Sequence, residues 1–185
     1  MRIAIDADAA LDAAKRVSDL TAKVLVAQRR ALGTLRRRWP VLARRDIQAE
    51  YALSATRIRD GLSVRNTRDG IELVGRIRGI GLLNFAGRGT RAGLRYRIFR
   101  NRPGLEPHGF VRSRRGQGIP KAWEREPLIG SGGSRRVPRY PIEPLFGPSL
   151  AQMLRKGDRP ARLAQAGLDV ITADLDRQLL RSLRR

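Results

Sequence analysis

The chain has 185 residues, of which 41% are hydrophobic, so it is long and apolar enough to bury a core of its own. It contains 39 lysine and arginine residues against 17 aspartate and glutamate residues, a formal net charge of +22. The absence of cysteine excludes a disulfide framework and thiolate chemistry, and no apolar run approaches the ~20 residues of a membrane helix.

Arginine dominates the basic residues, since four of the 39 are lysine and the other 35 are arginine. Guanidinium groups bind carboxylate or phosphate groups in a bidentate manner and tolerate partly buried interfaces. We therefore expect an acidic protein surface or nucleic acid as the partner. A GC-rich genome that favours arginine codons is an alternative explanation for the arginine count. The first residues, MRIAIDADAALDAAKR, carry acids where a signal peptide carries bases, so we expect no secretory leader.

The N-terminal third is predicted to be helical, after a short strand in MRIAID. Apolar residues recur at three- and four-residue steps and form one alanine-rich stripe: Ala10, Ala14, Val17, Leu20, Val24, Ala27, Ala31 and Leu35. Pro40 disfavours helix at Trp39, so the first helix, from Asp8, is expected to break or kink there, with arginines in its last turn. A second helix is expected at Val41–Tyr51 and a short one within residues 53–61.

The middle of the chain changes to a strand period. GLSVRNTRDGIELVGRIRG (61–79) predicts a strand, an Asp-Gly turn and a second strand, with an imperfect alternation typical of a bulge near Gly75. IGLLNF (80–85) is an apolar run, and LRYRIFR (94–100) alternates as a strand does. A last hairpin is predicted in GFVRSRRGQGIPKAWERE (109–126). The segments AGRGTRAG and NRPGLEPH between these elements are expected to be loops.

A linker and a proline-rich arm come before the C-terminal helices. PLIGSGGSRR (127–136) is rich in glycine and serine. Pro138, Pro141 and Pro144 follow at three-residue spacing, which favours a polyproline helix over a central strand. Ser149 and Gln152 have capping-box spacing for a short helix that ends near Gly157. A last helix begins around Asp158 and Pro160, and its apolar stripe is predicted to be Ala164, Leu168, Ile171, Leu175 and Leu179.

These elements predict an α+β fold, with long N-terminal helices, a small antiparallel sheet, a proline-rich extended arm and a C-terminal helix. We expect a single domain over residues 1–185, with helices on one face of the sheet. Its parts are the helical residues 1–61, the sheet at 62–126, the linker and arm at 127–148, and the helices at 149–185.

No constellation of residues predicts catalysis, a metal site or a cofactor. His108 is the single histidine, and one histidine without cysteine does not form a usual zinc site. No motif supplies a partner that would orient it as a general base. GRGTRA (87–92) formally fits a dinucleotide fingerprint, but a strand is predicted to follow where that site needs a helix. We expect no enzyme, no cofactor and no small-molecule substrate.

DIQAEYALSATRIRDGL (46–62) admits a second interpretation, a degenerate helix-turn-helix in a basic DNA-binding protein. With Ser54 in the turn, Ile58 and Leu62 take core positions of a recognition helix, and Arg57 and Arg59 are exposed. Gln48 and Ala52 depart from the pattern, because a small residue and a glycine are usual there. The alternative is that this helix packs on the sheet.

Two segments near the C terminus carry a family signature. YPIEPLFGPS (140–149) matches the pattern LPI-x-x-L-x-GPS, with Tyr140 in place of leucine and Phe146 where tyrosine is common. GFVRSRRGQGIPKAWERE is similar to the short strand, basic glycine turn and aromatic-arginine element that precede that pattern. Together these segments resemble the prophage minor tail protein Z family, and IGLLNF resembles its apolar-Leu-x-x-Phe segment. IPKAW (119–123) departs from the family's VFRR-like sequence.

The resemblance implies a structural, non-catalytic tail completion or minor tail protein of a tailed phage. Such a protein is made in the host cytoplasm and resides in the virion neck, where it joins the terminator end of the tail to the head connector. The resemblance also implies a homo-oligomeric ring of six copies, in contact with the tail terminator and with tail tube or head-tail connector proteins. We expect no membrane partner.

Residues 138–153 are expected to form a docking arm, since a polyproline segment costs little entropy to order and its apolar side chains suit a groove. The alternative is that the arm folds back on its own sheet. Partner or subunit docking is assigned to Tyr140, Pro141, Ile142, Leu145, Phe146, Gly147, Pro148, Ser149 and Met153. Contact with an acidic partner, or with DNA phosphates in the channel, is assigned to Arg57, Arg59, Arg88, Arg91, Arg114 and Arg115.

Overall fold

Four helices and ten short strands make up the computed structural model, which describes residues 7–67, 70–112, 120–125 and 142–183. The helices are α1 (Ala7–Glu50), α2 (Ala55–Arg59), α3 (Leu150–Arg155) and α4 (Arg159–Leu183). The strands are β1 (Leu62–Thr67), β2 (Gly70–Gly75), β3 (Ile80–Gly81), β4 (Arg88–Thr90), β5 (Gly93–Phe99), β6 (Arg102–Glu106), β7 (Gly109–Arg112), β8 (Lys121–Arg125), β9 (Ile142–Pro144) and β10 (Phe146–Gly147). The predicted α+β class is confirmed. The predicted strand in MRIAID lies outside the described residues.

The chain groups into two compact units, each made from segments distant in sequence. The helical unit takes Met1–Trp39 with Arg162–Arg185, and the mixed unit takes Pro40–Ala161. The boundaries between the two units fall inside helices, between Trp39 and Pro40 in α1 and between Ala161 and Arg162 in α4. Neither boundary lies in the predicted linker.

The predicted break at Trp39 is wrong, because α1 runs without interruption from Ala7 to Glu50 and contains Pro40. The arginines at 36–38 therefore lie in mid-helix and not in a last turn. Proline removes one backbone hydrogen bond and costs about 3 kcal/mol in a helix interior. Burial at four-residue spacing continues across it, with Leu35 before the proline and Ala43 and Ile47 after it. This apolar packing outweighs the local penalty.

The helical unit pairs α1 and α4 in antiparallel directions. The indole Nε1 of Trp39 donates to the carbonyl of Leu163 at 2.8 Å, and Gly167 lies against Trp39 and Leu35. Farther along, Arg30 Nη1 donates to Gln178 Oε1 at 3.5 Å. Residue numbers thus rise along α1 where they fall along α4. Ala27, Ala31 and Leu35 are buried as predicted, whereas Val24 of the same predicted stripe is exposed.

The face that α4 buries differs from the predicted stripe. Leu163, Gly167 and Asp174 are buried, whereas Ala164 and Leu168 are exposed. Glycine carries no hydrophobic signal, yet a Cβ at Gly167 would lie 3.3 Å from the Trp39 nitrogen. Close approach to the indole therefore decides the contact face, and hydrophobic periodicity does not detect it.

The mixed unit holds the main core, which collects side chains from α1, α2, α3 and several strands. Its fully enclosed members include Ile47, Ile58, Phe85, Leu94 and Met153. The end of α1 docks on β5, where Ala52 N donates to the Ile98 carbonyl at 2.9 Å. Ser54 caps α2 by accepting from the Arg57 amide, as its position suggests.

The strands of both predicted hairpins pair with each other, and two predicted loops are strands. β1 pairs with β2, and β7 with β8, in antiparallel register. The loops expected at 86–93 and 101–108 are wrong, because β4 and β6 flank β5 on its two edges. Pro103 is compatible with β6 because β6 is an edge strand of its sheet. The register irregularity falls between Tyr96 and Phe99 in β5.

Gly75, where a bulge was expected, pairs regularly with Leu62. The glycine has a different role, since a Cβ there would lie 2.9 Å from the amide nitrogen of Ala151. The backbone of α3 therefore packs directly against the end of β2.

Arg159 is a buried cation that ties three helices of the mixed unit together. Its side chain is 3% exposed and forms ion pairs with Asp46 and, at 2.7 Å, with Glu50, both on α1. It also donates to the carbonyl of Met153 in α3. Lys156 adds an ion pair to Glu50, and its Nζ lies 4.3 Å from the centroid of the Phe99 ring. We call these groups the Arg159 cluster.

Replacement of Pro40 by alanine is expected to stabilise the protein by about 1–2 kcal/mol. Alanine restores the missing backbone donor, and the gain is reduced by the larger entropy of the unfolded chain. The matched control is Pro160→Ala in the first turn of α4, where the amide lacks an intrahelical acceptor anyway. Urea unfolding of both variants measures the difference. An equal response of the two would contradict this account of Pro40.

The hydrogen bond from Lys156, together with the one from Arg159, holds the pKa of the Glu50 carboxyl below its ordinary value despite partial burial. The folded state thus favours the carboxylate, and this stability is present above the unfolded pKa and lost as pH falls through the folded pKa. Glu50→Gln should flatten the loss of melting temperature below about pH 4.5. Glu72→Gln, which removes the same charge from an exposed strand position, should leave the acid-induced loss in place.

Candidate functional site

The signature segment, defined by its described residues 142–149, is built into the sheets of the mixed unit. β9 pairs with β8, and β10 pairs with β3. Between them Leu145 N donates to the Ala122 carbonyl, and the Leu145 carbonyl accepts from Leu82 N, both at 3.0 Å. The expectation of a polyproline helix is therefore wrong for residues 142–147, whereas the edge position of β9 agrees with the expectation that the segment forms no central strand. Pro144 is tolerated because β9 is the edge strand of its sheet.

The glycine and the serine of the Gly-Pro-Ser turn each have a structural role inside the chain. Gly147 lies over the ring of Phe85, since a Cβ there would come within 2.6 Å of Phe85 Cε2. Pro148 is half-buried and leads into α3. Ser149 accepts from the amide of Gln152 while the Gln152 side chain accepts from Ser149 N, which confirms the predicted capping box. The turn thus fixes where α3 begins.

The residues assigned to docking separate into buried and exposed groups. Met153 and Ser149 are buried in the chain itself, so their assignment as partner contacts is corrected: no partner reaches them in the folded unit. Ile142, Leu145, Gly147 and Pro148 are half-buried. Phe146 differs, because 53% of it is exposed. Tyr140 and Pro141 lie outside the described residues.

A cleft of about 510 Å³ opens beside Phe146 in the mixed unit. Ile80, Ala122 and Leu150, which are buried, contribute apolar atoms to its lining. Phe146, half-buried Trp123 and half-buried Leu145 line it as well. The cleft therefore offers a partner both apolar contact and aromatic surface.

Four exposed cations surround this lining: Arg57, Arg76, Arg78 and Lys121. Among the lining residues Asp60 is the carboxylate, and it lies 3.7 Å from the Nε of Arg59 outside the cleft. The potential in the cleft is consequently positive, and guanidinium groups there can bind carboxylates in a bidentate manner.

Of the four predicted arginine contacts that the structure describes, one lies in this cleft. Arg57 lines it, whereas Arg59, Arg88 and Arg91 are exposed elsewhere. Arg114 and Arg115 lie outside the described residues. Sequence reasoning missed Arg76, Arg78 and Lys121. The alternation in GRIRG, with arginines two apart between glycines, is the signal that marks the first two.

The helix-turn-helix interpretation is wrong in its geometry. α2 spans five residues, Ile58 is buried in the core, and Leu62 begins β1. A recognition helix is therefore not formed. The stated alternative was that this helix packs on the sheet; in the structure Ile58 of α2 is buried in the main core of the mixed unit.

His108 is exposed in the turn between β6 and β7. Within the described part of the chain, no group of three or more acidic or histidine side chains could hold a metal ion. In the same part, none of the helices combines the length and apolar character of a membrane span.

Comparisons of the chain with protein-family models, with curated proteins and with solved structures find no match.

Removal of the side chains of Leu145 and Phe146 should destabilise the fold by different amounts. Leu145→Ala is expected to lower the free energy of unfolding by about 2 kcal/mol or more, because Leu145 packs on the core. Phe146→Ala should lower it by less than about 1 kcal/mol, because the ring is largely exposed. Denaturant unfolding measures both, and a reversed order would contradict the described packing.

Proposed function

We propose that the protein is a structural tail completion protein of a tailed phage, and that it binds an acidic segment of a neighbouring tail or connector protein in the cleft beside Phe146. One observation carries the proposal: within the signature segment, Phe146 remains largely exposed and lines a cleft surrounded by cations. The resemblance of the signature to the minor tail protein family supplies the setting. The ring of six copies and the neck location remain predictions from that resemblance.

The chemistry of the cleft favours a protein partner over DNA. Duplex DNA offers phosphates, which would bind the arginines and gain nothing from the apolar lining formed by Ile80 and Leu150. An acidic segment with one apolar side chain uses both parts of the cleft, since its carboxylates bind guanidinium groups and its apolar group packs on Phe146. Binding of this kind needs no catalytic group.

Joining of heads to tails is the direct test. Inactivation of the gene in the genome that carries it should leave full heads and finished tails unjoined in lysates, as counted by electron microscopy. Supply of the wild-type protein in trans should restore joined particles. Particles that are joined normally without the gene would overturn the proposal.

Two variants test whether joining depends on the cleft or on the exposed surface around it. Phe146→Ala should fail to restore joining, because loss of an anchor costs about 2 kcal/mol or more of binding free energy. Ile77→Ala is the matched control, since Ile77 is 85% exposed and lies between two cleft arginines without lining the cleft. It should restore joining fully. Equal activity of the two variants would exclude Phe146 as the anchor.

Binding to DNA would be recognised by its salt dependence. Phosphate contacts give a slope of about 0.9 per contact in log K against log salt, without preference for sequence. The DNA alternative would be favoured over the tail proposal by two results together. DNA binding of this kind would be unaffected by Phe146→Ala, and heads and tails would join normally in the absence of the protein.

A further inference from the structure

The sheet formed by β4, β5 and β6 has one face on the core and one face open to solvent. On the core side, Leu94 is fully buried and Tyr96 packs against the core. Gly109 at the start of β7 also lies on that side, because a Cβ there would come within 2.7 Å of the Cβ of Leu94. Successive side chains of a strand alternate between the two faces. Arg95, between Leu94 and Tyr96, therefore points away from the core, and it is exposed.

The strand register places a second arginine beside Arg95 on the open face. Arg88 of β4 lies directly opposite Arg95, and Leu105 of β6 lies on the other side of Arg95, so the three exposed residues form a row across the strands. Like charges in directly opposite positions repel each other and destabilise the strand pairing. β1 and β2 have the contrary arrangement, since Arg65 lies opposite Glu72 there. The arginine pair is thus unfavourable in the isolated chain.

The arginine pair belongs to a larger group of exposed arginines on the same sheet. Residues 88–106 contain six arginines and a single acid, Glu106. The six arginines are all exposed: Arg88, Arg91, Arg95, Arg97, Arg100 and Arg102. Glu106 lies opposite the buried Leu94, so the register places it on the core side. Within the described ranges, no ion pair joins any of the six to an acid. We call the open face of this sheet, with the turns at the two ends of β5, the arginine face.

The chemistry of the arginine face suits the phosphate groups of duplex DNA. Guanidinium groups bind phosphate oxygens in a bidentate manner, and a phosphate bound between Arg88 and Arg95 would offset their mutual repulsion. The seven residues of β5 extend over about 20 Å. Duplex DNA carries one phosphate per about 1.7 Å of its axis, so the arginine face can contact several phosphates at once.

Two other polyanions fit the arginine face less well. Single-stranded nucleic acid stacks its bases on aromatic side chains, but both aromatic residues of the three strands are engaged elsewhere. Tyr96 packs on the core, and the ring of Phe99 lies 5.1 Å from that of Tyr51. An acidic protein segment depends on well-packed anchor residues, and the row across the strands offers only Leu105, which is 45% exposed, as an apolar contact.

We propose that the arginine face binds the phosphate backbone of duplex DNA without recognising the base sequence. Phosphate contacts position a protein on the duplex and carry no sequence information of their own. The sequence assigned Arg88 and Arg91 to an acidic partner or to DNA without choosing between the two. The strand register and the lack of neutralising acids favour DNA. None of the six arginines lines the cleft beside Phe146, and the proposal does not depend on the proposed function.

Fluorescence anisotropy of a labelled DNA duplex, titrated with the full chain over a range of salt concentrations, tests the proposal. Arg95→Gln should weaken binding about eightfold at about 0.1 M salt and should lower the slope of log K against log salt by about 0.9, as expected for one lost phosphate contact. Equal binding by this variant and the wild type, or wild-type binding weaker than about 100 μM at physiological salt, would overturn the proposal.

Arg65→Gln is the matched control for the loss of one charge. Arg65 is also exposed on a strand, but it lies opposite Glu72 and away from the other arginines of the sheet β4–β6. The variant should change DNA binding by less than about twofold and should leave the salt slope unchanged. Effects as large as those of Arg95→Gln would show that any exposed arginine serves equally, which would overturn the assignment to the arginine face.

Charge reversal at Arg88 distinguishes DNA binding from folding. Arg88→Glu places an acid opposite Arg95 and creates a favourable cross-strand pair, so the melting temperature should stay the same or rise. DNA binding should nevertheless weaken more than about tenfold, because a phosphate contact is lost and a repulsive charge is added. A variant that is folded by circular dichroism and binds DNA as the wild type does would overturn the proposal.

Competition identifies the polyanion. At equal concentrations of negative charge, unlabelled duplex DNA should displace the labelled duplex from the wild-type chain more effectively than polyglutamate or single-stranded oligothymidylate does. More effective displacement by polyglutamate, with a loss in Arg95→Gln, would assign the arginine face to an acidic protein and overturn the proposal. More effective displacement by the single strand would overturn the assignment to duplex DNA.

Discussion

Burial of the Arg159 guanidinium is the constraint on which the mixed unit depends. A buried charge is costly unless ion pairs and hydrogen bonds satisfy it. Asp46 and Glu50, one turn apart on α1, supply the anions, and the carbonyl of Met153 supplies the remaining acceptor. These contacts set the end of α1, the end of α3 and the beginning of α4 at one point. Helix α3 is thereby placed where Leu150 and Met153 complete the core.

The signature segment follows from this placement. Once α3 is fixed, the chain that leads into it crosses the sheets at Leu145, passes over Phe85 at Gly147 and begins the helix at Ser149. Glycine and serine at these positions are therefore explained by packing and capping alone. Phe146 is not explained in this way, because its ring faces outward. A functional meaning of the segment consequently rests on that residue and on the cations beside it.

Local chemistry made much of the fold predictable. The capping box at Ser149 and the pairing of β1 with β2 both arise from residues close in sequence, so the local sequence was enough to predict them. The errors arose where distant contacts override local preference. Apolar packing along α1 keeps the helix continuous through Pro40. Pairing with β5 makes strands of two segments that have the composition of loops. Close contact with the indole of Trp39 places Gly167, and not the leucines of the predicted stripe, on the buried face of α4.

The candidate site was predictable only in part for the same reason. Phe146 was assigned from its position in the signature, and Arg57 from its exposure beside Ile58. Arg76, Arg78 and Lys121 join them through pairing of β3 with β10 and of β8 with β9. Those strand pairings connect residues that are far apart in the chain, so they could not be predicted from any local sequence pattern. The apolar stripe of α4, by contrast, was visible in the sequence, although Leu168 within it is exposed in the structure.

The long separation between contacting segments also bears on how the protein is made. Asp46 and Arg159 are 113 positions apart, and residues 142–153 cover a core whose other members come from residues 47–122. During translation the early segments emerge well before the residues that complete them, and closure of such distant contacts is slow. The nascent mixed unit therefore exposes Ile58 and Phe85 until α3 has left the ribosome. A premature stop codon anywhere before Leu150 would yield a product whose core is incomplete. Such a product would be bound by chaperones or degraded by proteases, and it would not retain partial function.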